Sequence, residues 1–77
     1  MWPKTQRLAV VGPADAKFAQ AVEACVTEVL GYGAVAVSVE ERTRLQSVRL
    51  EVHFASPDDF CALHARLKAL EGARAVI

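Results

Sequence analysis

Three polar residues at alternate positions, Arg49, Glu51 and His53, have the spacing best suited to form a binding or catalytic surface. Alternate residues of an extended strand point to the same side, so a guanidinium, a carboxylate and an imidazole would share one surface. Arg7, in another short strand, is expected beside them. Such a surface could bind a partner or a small anion, or it could be a solvated sheet face with cross-strand charge pairs.

The same surface also suggests catalysis. In that case His53 would act as an acid or a base, and we would expect a concave pocket beside Arg49, Glu51 and His53 together with a perturbed His53 titration. A small enzyme of this kind is therefore one alternative for the function.

Gly12, which precedes Pro13, is the second candidate for binding. It ends a strand just before a helix, where a glycine lets a ligand approach the backbone at the helix N-terminus. Simple turn chemistry is the competing interpretation of the same residues. The two interpretations differ in whether the backbone at Gly12 is accessible.

The remaining residues show no arrangement typical of catalysis or metal binding, so we predict no catalytic residue, no metal site and no cofactor. Cys25 and Cys61 form no CxxC motif. Cys61 and His64 are three positions apart on a helix and would supply two zinc ligands, with Cys25 the only visible third. Burial of the cysteines in the core is the competing interpretation. The turn at Gly12 contains no arginine that could hold a phosphate.

The charge balance argues against a general affinity for nucleic acids or acidic membranes. Nine Lys and Arg residues balance nine Asp and Glu residues in the 77-residue chain, whereas binding to phosphates requires a basic surplus. RNA binding through Arg7, Arg42, Arg44 and Arg49 is a further alternative, although no aromatic residue of the predicted open face could stack on bases.

The sequence also predicts where the protein works. Its N-terminus has no apolar stretch typical of a signal peptide, and no apolar run approaches the roughly 20 residues of a membrane-spanning helix. Two cysteines do not make a disulfide framework. We therefore expect a cytoplasmic protein with no membrane partner.

The elements that position these residues follow from the spacing of apolar side chains. After a loose lead-in over residues 1–5, residues 7–11 are predicted to form a short strand. Residues 14–30 have apolar positions at steps of three and four, which is typical of an amphipathic helix. Gly31 supplies the stop signal of this helix.

Two alternating segments come next. Residues 34–41 and 46–54 alternate apolar and polar side chains, which predicts a hairpin with one buried face on each strand. A second helix follows, with Ser56 as its cap and Pro57 at its first position. Residues 73–77 read as a last strand.

The order βαββαβ predicts one α+β domain over residues 1–77, a ferredoxin-like sandwich. Its four-stranded antiparallel sheet would have the order 4-1-3-2, with two helices on one face. The strands at 34–41 and 73–77 would be unpaired edges that could recruit another chain. We therefore predict a homodimer through sheet edges or the sheet face, with an unidentified protein or small molecule as the other possible partner.

Three segments also carry a family resemblance. The run Leu8–Gly12 leads directly into a helix, the 46–54 strand precedes a capped helix, and the chain ends at Ala73–Ile77 with Arg74 as the one charge. From Arg7 onward the sequence resembles the YbeD-like family of small bacterial proteins. It departs from that family in lacking part of the usual N-terminal extension and in carrying Glu41–Arg44 where relatives tend to have a Gly- and Ser-rich turn.

The resemblance implies a ferredoxin-like fold similar to ACT regulatory domains and a cytoplasmic protein of unassigned molecular function. It also implies a suggested link to lipoate metabolism, and it carries over no catalytic residue. From the residues and the resemblance together we expect a non-enzymatic regulatory or binding module. Its candidate binding residues are Arg7, Gly12, Arg49, Glu51 and His53.

Overall fold

Four strands and two helices alternate in the order β-α-β-β-α-β in the computed structural model, which describes all of residues 1–77. The elements are β1 (Lys4–Pro13), α1 (Ala16–Leu30), β2 (Ala36–Glu41), β3 (Leu45–Phe54), α2 (Pro57–Lys68) and β4 (Ala75–Val76). All neighbouring strands are antiparallel, in the sheet order β2-β3-β1-β4. This is the predicted order 4-1-3-2, so the ferredoxin-like fold is confirmed.

Helix α1 begins and ends at residues suited to those positions. The Asp15 side chain accepts a hydrogen bond from the Lys17 N–H at 2.8 Å, which satisfies a free donor of the first turn. Gly31 ends the helix at a φ of 83°, a left-handed conformation that glycine adopts without a steric penalty. The helix thus starts two residues later than predicted, because Asp15 is its cap.

Helix α2 has the cap predicted from the sequence. The Ser56 hydroxyl oxygen accepts a hydrogen bond from the Asp59 N–H at 3.3 Å, and Pro57 occupies the first helical position. Asp58 and Asp59 lie in the first turn, where the helix dipole favours negative charge. Neither α1 nor α2 is long and apolar enough to cross a membrane.

The core lies between the two helices and one face of the central strands. Both helices bury one apolar stripe against β1 and β3, which leaves the opposite face of the sheet uncovered. Twelve buried residues form this core: Leu8, Val10, Phe18, Val22, Cys25, Val26, Val48, Leu50, Val52, Phe54, Leu63 and Leu67.

The predicted loose lead-in over residues 1–5 is wrong from Trp2 onward. The Trp2 ring packs edge-on against Phe54, with 6.1 Å between the ring centroids, and lies 6.1 Å from the Phe60 ring. The Lys4 ammonium is 4.7 Å from the centre of the Trp2 ring, and β1 begins at Lys4 rather than at Arg7. An indole that covers two core aromatics holds this segment on the protein.

The prediction of a buried face on β2 is also wrong. Val37 lies opposite Leu50 and Val39 opposite Val48, so both valines are on the helix side of the sheet. They nevertheless remain 38% and 45% exposed. The helices pack on each other and over β1, β3 and β4, and β2 extends beyond them as an edge strand.

The last strand is shorter than predicted. β4 comprises only Ala75 and Val76, although the Ile77 N–H also donates to the Ala9 carbonyl at 2.8 Å. This short strand forms the other edge of the sheet, next to β1.

Candidate functional site

The open face of the sheet brings together three of the five candidate binding residues. Arg7 of β1 lies directly opposite Glu51 of β3, and the Arg7 Nε is 3.3 Å from Glu51 Oε1. Arg49 lies two residues before Glu51 on the same strand, between Ala9 of β1 and Ser38 of β2. The register of β1, β2 and β3 therefore builds the predicted polar surface.

A second carboxylate, Glu40, extends this surface across β2. Its Oε2 is 3.0 Å from Arg49 Nη2 and its Oε1 is 3.1 Å from Arg42 Nη2. The side chains of Arg7 and Arg49 are 87% and 61% exposed. Ion pairs this exposed contribute only about 0–1 kcal/mol to stability, so these residues are not explained by a need to stabilise the fold.

A depression of about 460 Å³, which we call the open-face depression, lies over these residues. Two guanidinium groups and one carboxylate border it, and apolar residues form much of the rest. Its lining includes Arg7, Ala9, Ala36, Ser38, Arg49, Glu51 and Ile77. The arrangement can bind a negatively charged group and can contact an apolar segment attached to that group.

His53 is not part of this depression. It lies opposite Thr5 near the end of β3 and its side chain is exposed. Its backbone carbonyl oxygen accepts a hydrogen bond from the Tyr32 hydroxyl at 2.7 Å. A pocket does lie beside Arg7, Arg49 and Glu51, but the imidazole that a catalytic role would require does not line it.

Gly12 is separated from the other candidates because it lies on the helix side of the sheet. It is buried, and a Cβ added to it would be 2.2 Å from a ring carbon of Phe18. The missing side chain thus makes room for the Phe18 ring. This geometry gives Gly12 a packing role, and the ring occupies the space through which a ligand was expected to approach.

The cysteines lie in different environments. Cys25 is a core residue, whereas Cys61 is exposed on α2. Burial raises the pKa of the Cys25 thiol above its ordinary value; nearby Arg66 opposes this shift and Glu28 reinforces it. No group of three or more His, Cys, Asp or Glu side chains is placed to hold a metal ion. Cys25 therefore does not complete a site with Cys61 and His64.

A second depression, of about 440 Å³, lies on the surface of α2. Phe60, Cys61, His64 and Lys68 line it, and the Phe60 and His64 rings stack at 5.9 Å with 25° between their planes. The Phe60 ring also packs on Phe54 in the core. Sequence reasoning considered only the cysteine and the histidine of this group.

One buried polar residue was missed by sequence reasoning. Gln46 is only 3% exposed, and its Nε2 donates to the carbonyl oxygens of Pro13 and Asp15 at 2.9 and 2.7 Å. It ties the start of β3 to the turn that precedes α1. Its even-numbered position, in step with the buried Val48 and Leu50, was the signal for this location.

Comparison with known proteins identifies one matching family. A family model described as "Protein of unknown function (DUF493)" matches residues 1–77. No curated protein matches the chain. The predicted membership of a small-protein family of unknown function is therefore confirmed.

Solved structures show the same fold at low sequence identity. The crystal structure of the ACT domain from GTP pyrophosphokinase of Chlorobium tepidum has a TM-score of 0.82 at 11% identity, over 97% of this chain and 96% of that one. Its solution NMR structure has a TM-score of 0.81 at 12% identity, over 100% and 86%. The C-terminal domain of the MgtC protein from Mycobacterium tuberculosis has a TM-score of 0.69 at 15% identity, over 97% and 84%. At these identities the likeness shows an ACT-like fold.

Proposed function

The chain belongs to the DUF493 family, and on that premise we propose that it is a non-enzymatic regulatory module that binds a small anion in the open-face depression. The observation that carries this proposal is the placement of Arg7 and Arg49 around one depression of about 460 Å³. An ACT-like fold is consistent with a ligand-binding module, but a fold hosts many functions, so the proposal rests on the site.

The two arginines retain free hydrogen-bond donors. Arg7 directs its Nε to Glu51, and Arg49 directs its Nη2 to Glu40. A guanidinium has five N–H donors in a planar fork that matches the geometry of a carboxylate or a phosphate. The existing ion pairs hold both side chains near the depression, and the remaining donors are available to a ligand.

The rest of the lining favours a ligand with an apolar part. Ala9, Ala36 and Ile77 contribute apolar surface next to the guanidinium groups. A carboxylate joined to a short apolar chain would use both kinds of contact. Lipoate is such a molecule, and the family resemblance provides a further reason to choose it as the first probe.

A non-enzymatic role is supported by the composition of the depression. Ser38 supplies a hydroxyl to its lining, no histidine or cysteine lines the depression, and its one carboxylate, Glu51, is paired with Arg7. RNA binding has less support, because no aromatic residue lines the depression to stack on bases. Free thiols at Cys25 and Cys61 support our assignment of the protein to the cytoplasm.

Titration calorimetry with lipoate, and separately with inorganic phosphate, tests the ligand proposal. We expect binding of at least one of them, weakened about tenfold or more in Arg7→Gln and Arg49→Gln, because a hydrogen bond to a charged group is worth about 1.5–3 kcal/mol. Arg66→Gln is the matched control, since Arg66 pairs with Glu28 on the helices. Absence of binding to both probes at millimolar concentration, or equal weakening in the control, would contradict the proposal.

The second part of the proposed function is self-association through a sheet edge. β2 lies at the end of the sheet, and Val35, Val37 and Val39 are among the large apolar residues that remain exposed. An edge strand with unpaired backbone groups and exposed valines is a template for pairing with another strand. Sedimentation equilibrium is expected to give a mass near twice the 8.3 kDa of one chain.

A further inference from the structure

We infer that two copies of this chain join in an antiparallel fashion along β2, with the two-fold axis passing at Ser38. This inference rests on the proposed self-association and specifies its edge, its register and the residues that meet. It follows from the direction of the backbone groups of β2, from the faces of its side chains and from its charges.

The longer of the two edge strands is β2. β2 has six residues, whereas β4 has two. Natural edge strands are commonly protected by charged side chains, especially lysine, by proline or by a bulge. The residues of β2 are Ala36, Val37, Ser38, Val39, Glu40 and Glu41, with no lysine and no proline, and its two charges lie at its C-terminal end.

The hairpin fixes which backbone groups of β2 point outward. The Arg42 N–H donates to the Leu45 carbonyl at 2.7 Å, so these two residues form a hydrogen-bonded pair. Hydrogen-bonded and non-hydrogen-bonded pairs alternate along an antiparallel ladder. The backbone groups of Val37, Val39 and Glu41 therefore point away from β3 and are available to a second copy.

Val35 is an exception at the start of this edge. Its N–H donates to the Glu51 carbonyl of its own chain at 2.7 Å, one residue out of step with the Ala36–Glu51 pair. Its N–H is thus already used and does not extend the free edge. The outward ladder consists of Val37, Val39 and Glu41.

The side-chain faces restrict the position of the symmetry axis. Opposite residues of an antiparallel pair point to the same side of the sheet. Val37 and Val39 are on the helix side, and Ser38 is on the open side. Each helix-side residue of β2 must therefore lie opposite a helix-side residue of the second copy. This is possible only if one residue of β2 lies opposite its own copy, with the two-fold axis between them.

Three positions of the axis are then possible near the middle of β2, and the structure favours Ser38. An axis at Ser38 places Val37 opposite Val39 of the second copy and Val39 opposite its Val37, with both hydrogen-bonding in the new ladder. An axis at Val37 places Val39 opposite Val35, whose N–H is already used. In the Ser38 register this lost donor lies opposite Glu41 instead, and the bonds between Val37 and Val39 are kept. An axis at Val39 places Val37 opposite the carboxylate of Glu41.

The charges agree with the Ser38 register. Glu40 would lie opposite Ala36 of the second copy, so no two carboxylates face each other directly. Arg42 and Arg49 of its own chain already pair with Glu40, at 3.1 and 3.0 Å. The paired sheets would also place the two open-face depressions on the same side, because Ala36 and Ser38 line each of them.

Disulfide formation between copies tests the register directly. In a Cys61→Ser background, Ser38→Cys places two thiols at a non-hydrogen-bonded pair, where the Cα atoms are about 4.5 Å apart and a disulfide can form. Ala36→Cys is the matched control on the same strand and face. In this register its two copies are offset by four residues, or roughly 13 Å, which is too far for a disulfide.

We expect rapid oxidation of Ser38→Cys to a covalent dimer and little dimer from Ala36→Cys, with unchanged circular dichroism in both. Val39→Lys is expected to weaken self-association about tenfold or more in sedimentation equilibrium, because a charged edge opposes pairing. A dimer that cross-links through Val37→Cys or Val39→Cys, and not through Ser38→Cys, would overturn the register and leave self-association standing. A monomer at millimolar concentration would overturn both.

Discussion

The two strands of the hairpin, β2 and β3, have the same alternation of apolar and polar residues but opposite environments. On β3, Val48 and Val52 are completely buried under the helices. On β2, Val37 and Val39 lie on the same side of the sheet, opposite Leu50 and Val48, and remain 38% and 45% exposed. The difference comes from sheet order, because β3 is a central strand and β2 an edge strand.

This contrast separates the residues that form the core from those that we propose bind a ligand or a second copy. The helix side of β1 and β3 carries the core, whereas β2 and the open face carry exposed valines, arginines and glutamates, whose exposed ion pairs contribute little to stability. Substitutions on the two sides should therefore differ in their effect on the free energy of unfolding.

The largest expected effect is that of Phe54→Ala on β3. Phe54 is completely buried and packs against Trp2 and Phe60, so its truncation should lower the free energy of unfolding by about 3–5 kcal/mol. Val39→Ala on β2 is the comparison and should change it by no more than about 0.5 kcal/mol. Urea unfolding at low protein concentration measures both. Similar losses in the two variants would break the contrast between the strands.

Gly12→Ala should have the next largest effect, because the helix side of β1 is closely packed. The added Cβ would meet the Phe18 ring at 2.2 Å, and overpacking of this kind costs about 1–3 kcal/mol. Gly33→Ala is the control, since its Cβ would meet nothing within 4 Å. If Gly12→Ala is as stable as the control, the packing role of Gly12 is wrong.

Ser56→Ala should destabilise the protein by about 1 kcal/mol, because the Asp59 N–H would lose its acceptor at the start of α2. Ser47→Ala, on the open side of β3, should have a smaller effect. Thermal unfolding followed by circular dichroism distinguishes the two. If Ser56→Ala is more stable than Ser47→Ala, the Ser56 hydroxyl does not cap the helix.

Arg49→Gln should lower the free energy of unfolding by only about 0–1 kcal/mol, because its ion pair with Glu40 is exposed. The same substitution should reduce anion binding about tenfold or more if Arg49 supplies hydrogen bonds to a charged ligand. Chemical unfolding and calorimetry on this one variant thus compare its effect on stability with its effect on anion binding. A large loss of stability would instead make Arg49 a structural residue.

Much of the fold was predictable because its signals are local. The Ser56 and Pro57 pair marks the start of α2, and the alternation from Val48 to Phe54 identifies the buried side of β3. The placement of Arg7 beside the polar residues of β3 followed from the predicted topology, whereas its exact partner, Glu51, did not. These features depend on neighbouring residues or on the order of the elements.

The features that the sequence did not predict depend on distant contacts. Trp2 is ordered because it reaches Phe54 and Phe60, which lie more than 50 residues away along the chain. The exposure of Val37 and Val39 depends on where the helices end above the sheet. The open-face depression does not include His53, which lies beyond the last β2–β3 pair, Ala36 with Glu51, and alternation alone did not show that β2 begins there.

The central claim, that the open side of the sheet binds a small anion, is tested most directly by an NMR titration of the labelled protein with lipoate. We predict saturable shifts of the amide signals of Ala9, Ser38 and Arg49, around the open-face depression, and none at the α2 surface around Phe60 and His64. Shifts confined to the α2 surface, or no shift at any amide up to millimolar lipoate and phosphate, would contradict the account.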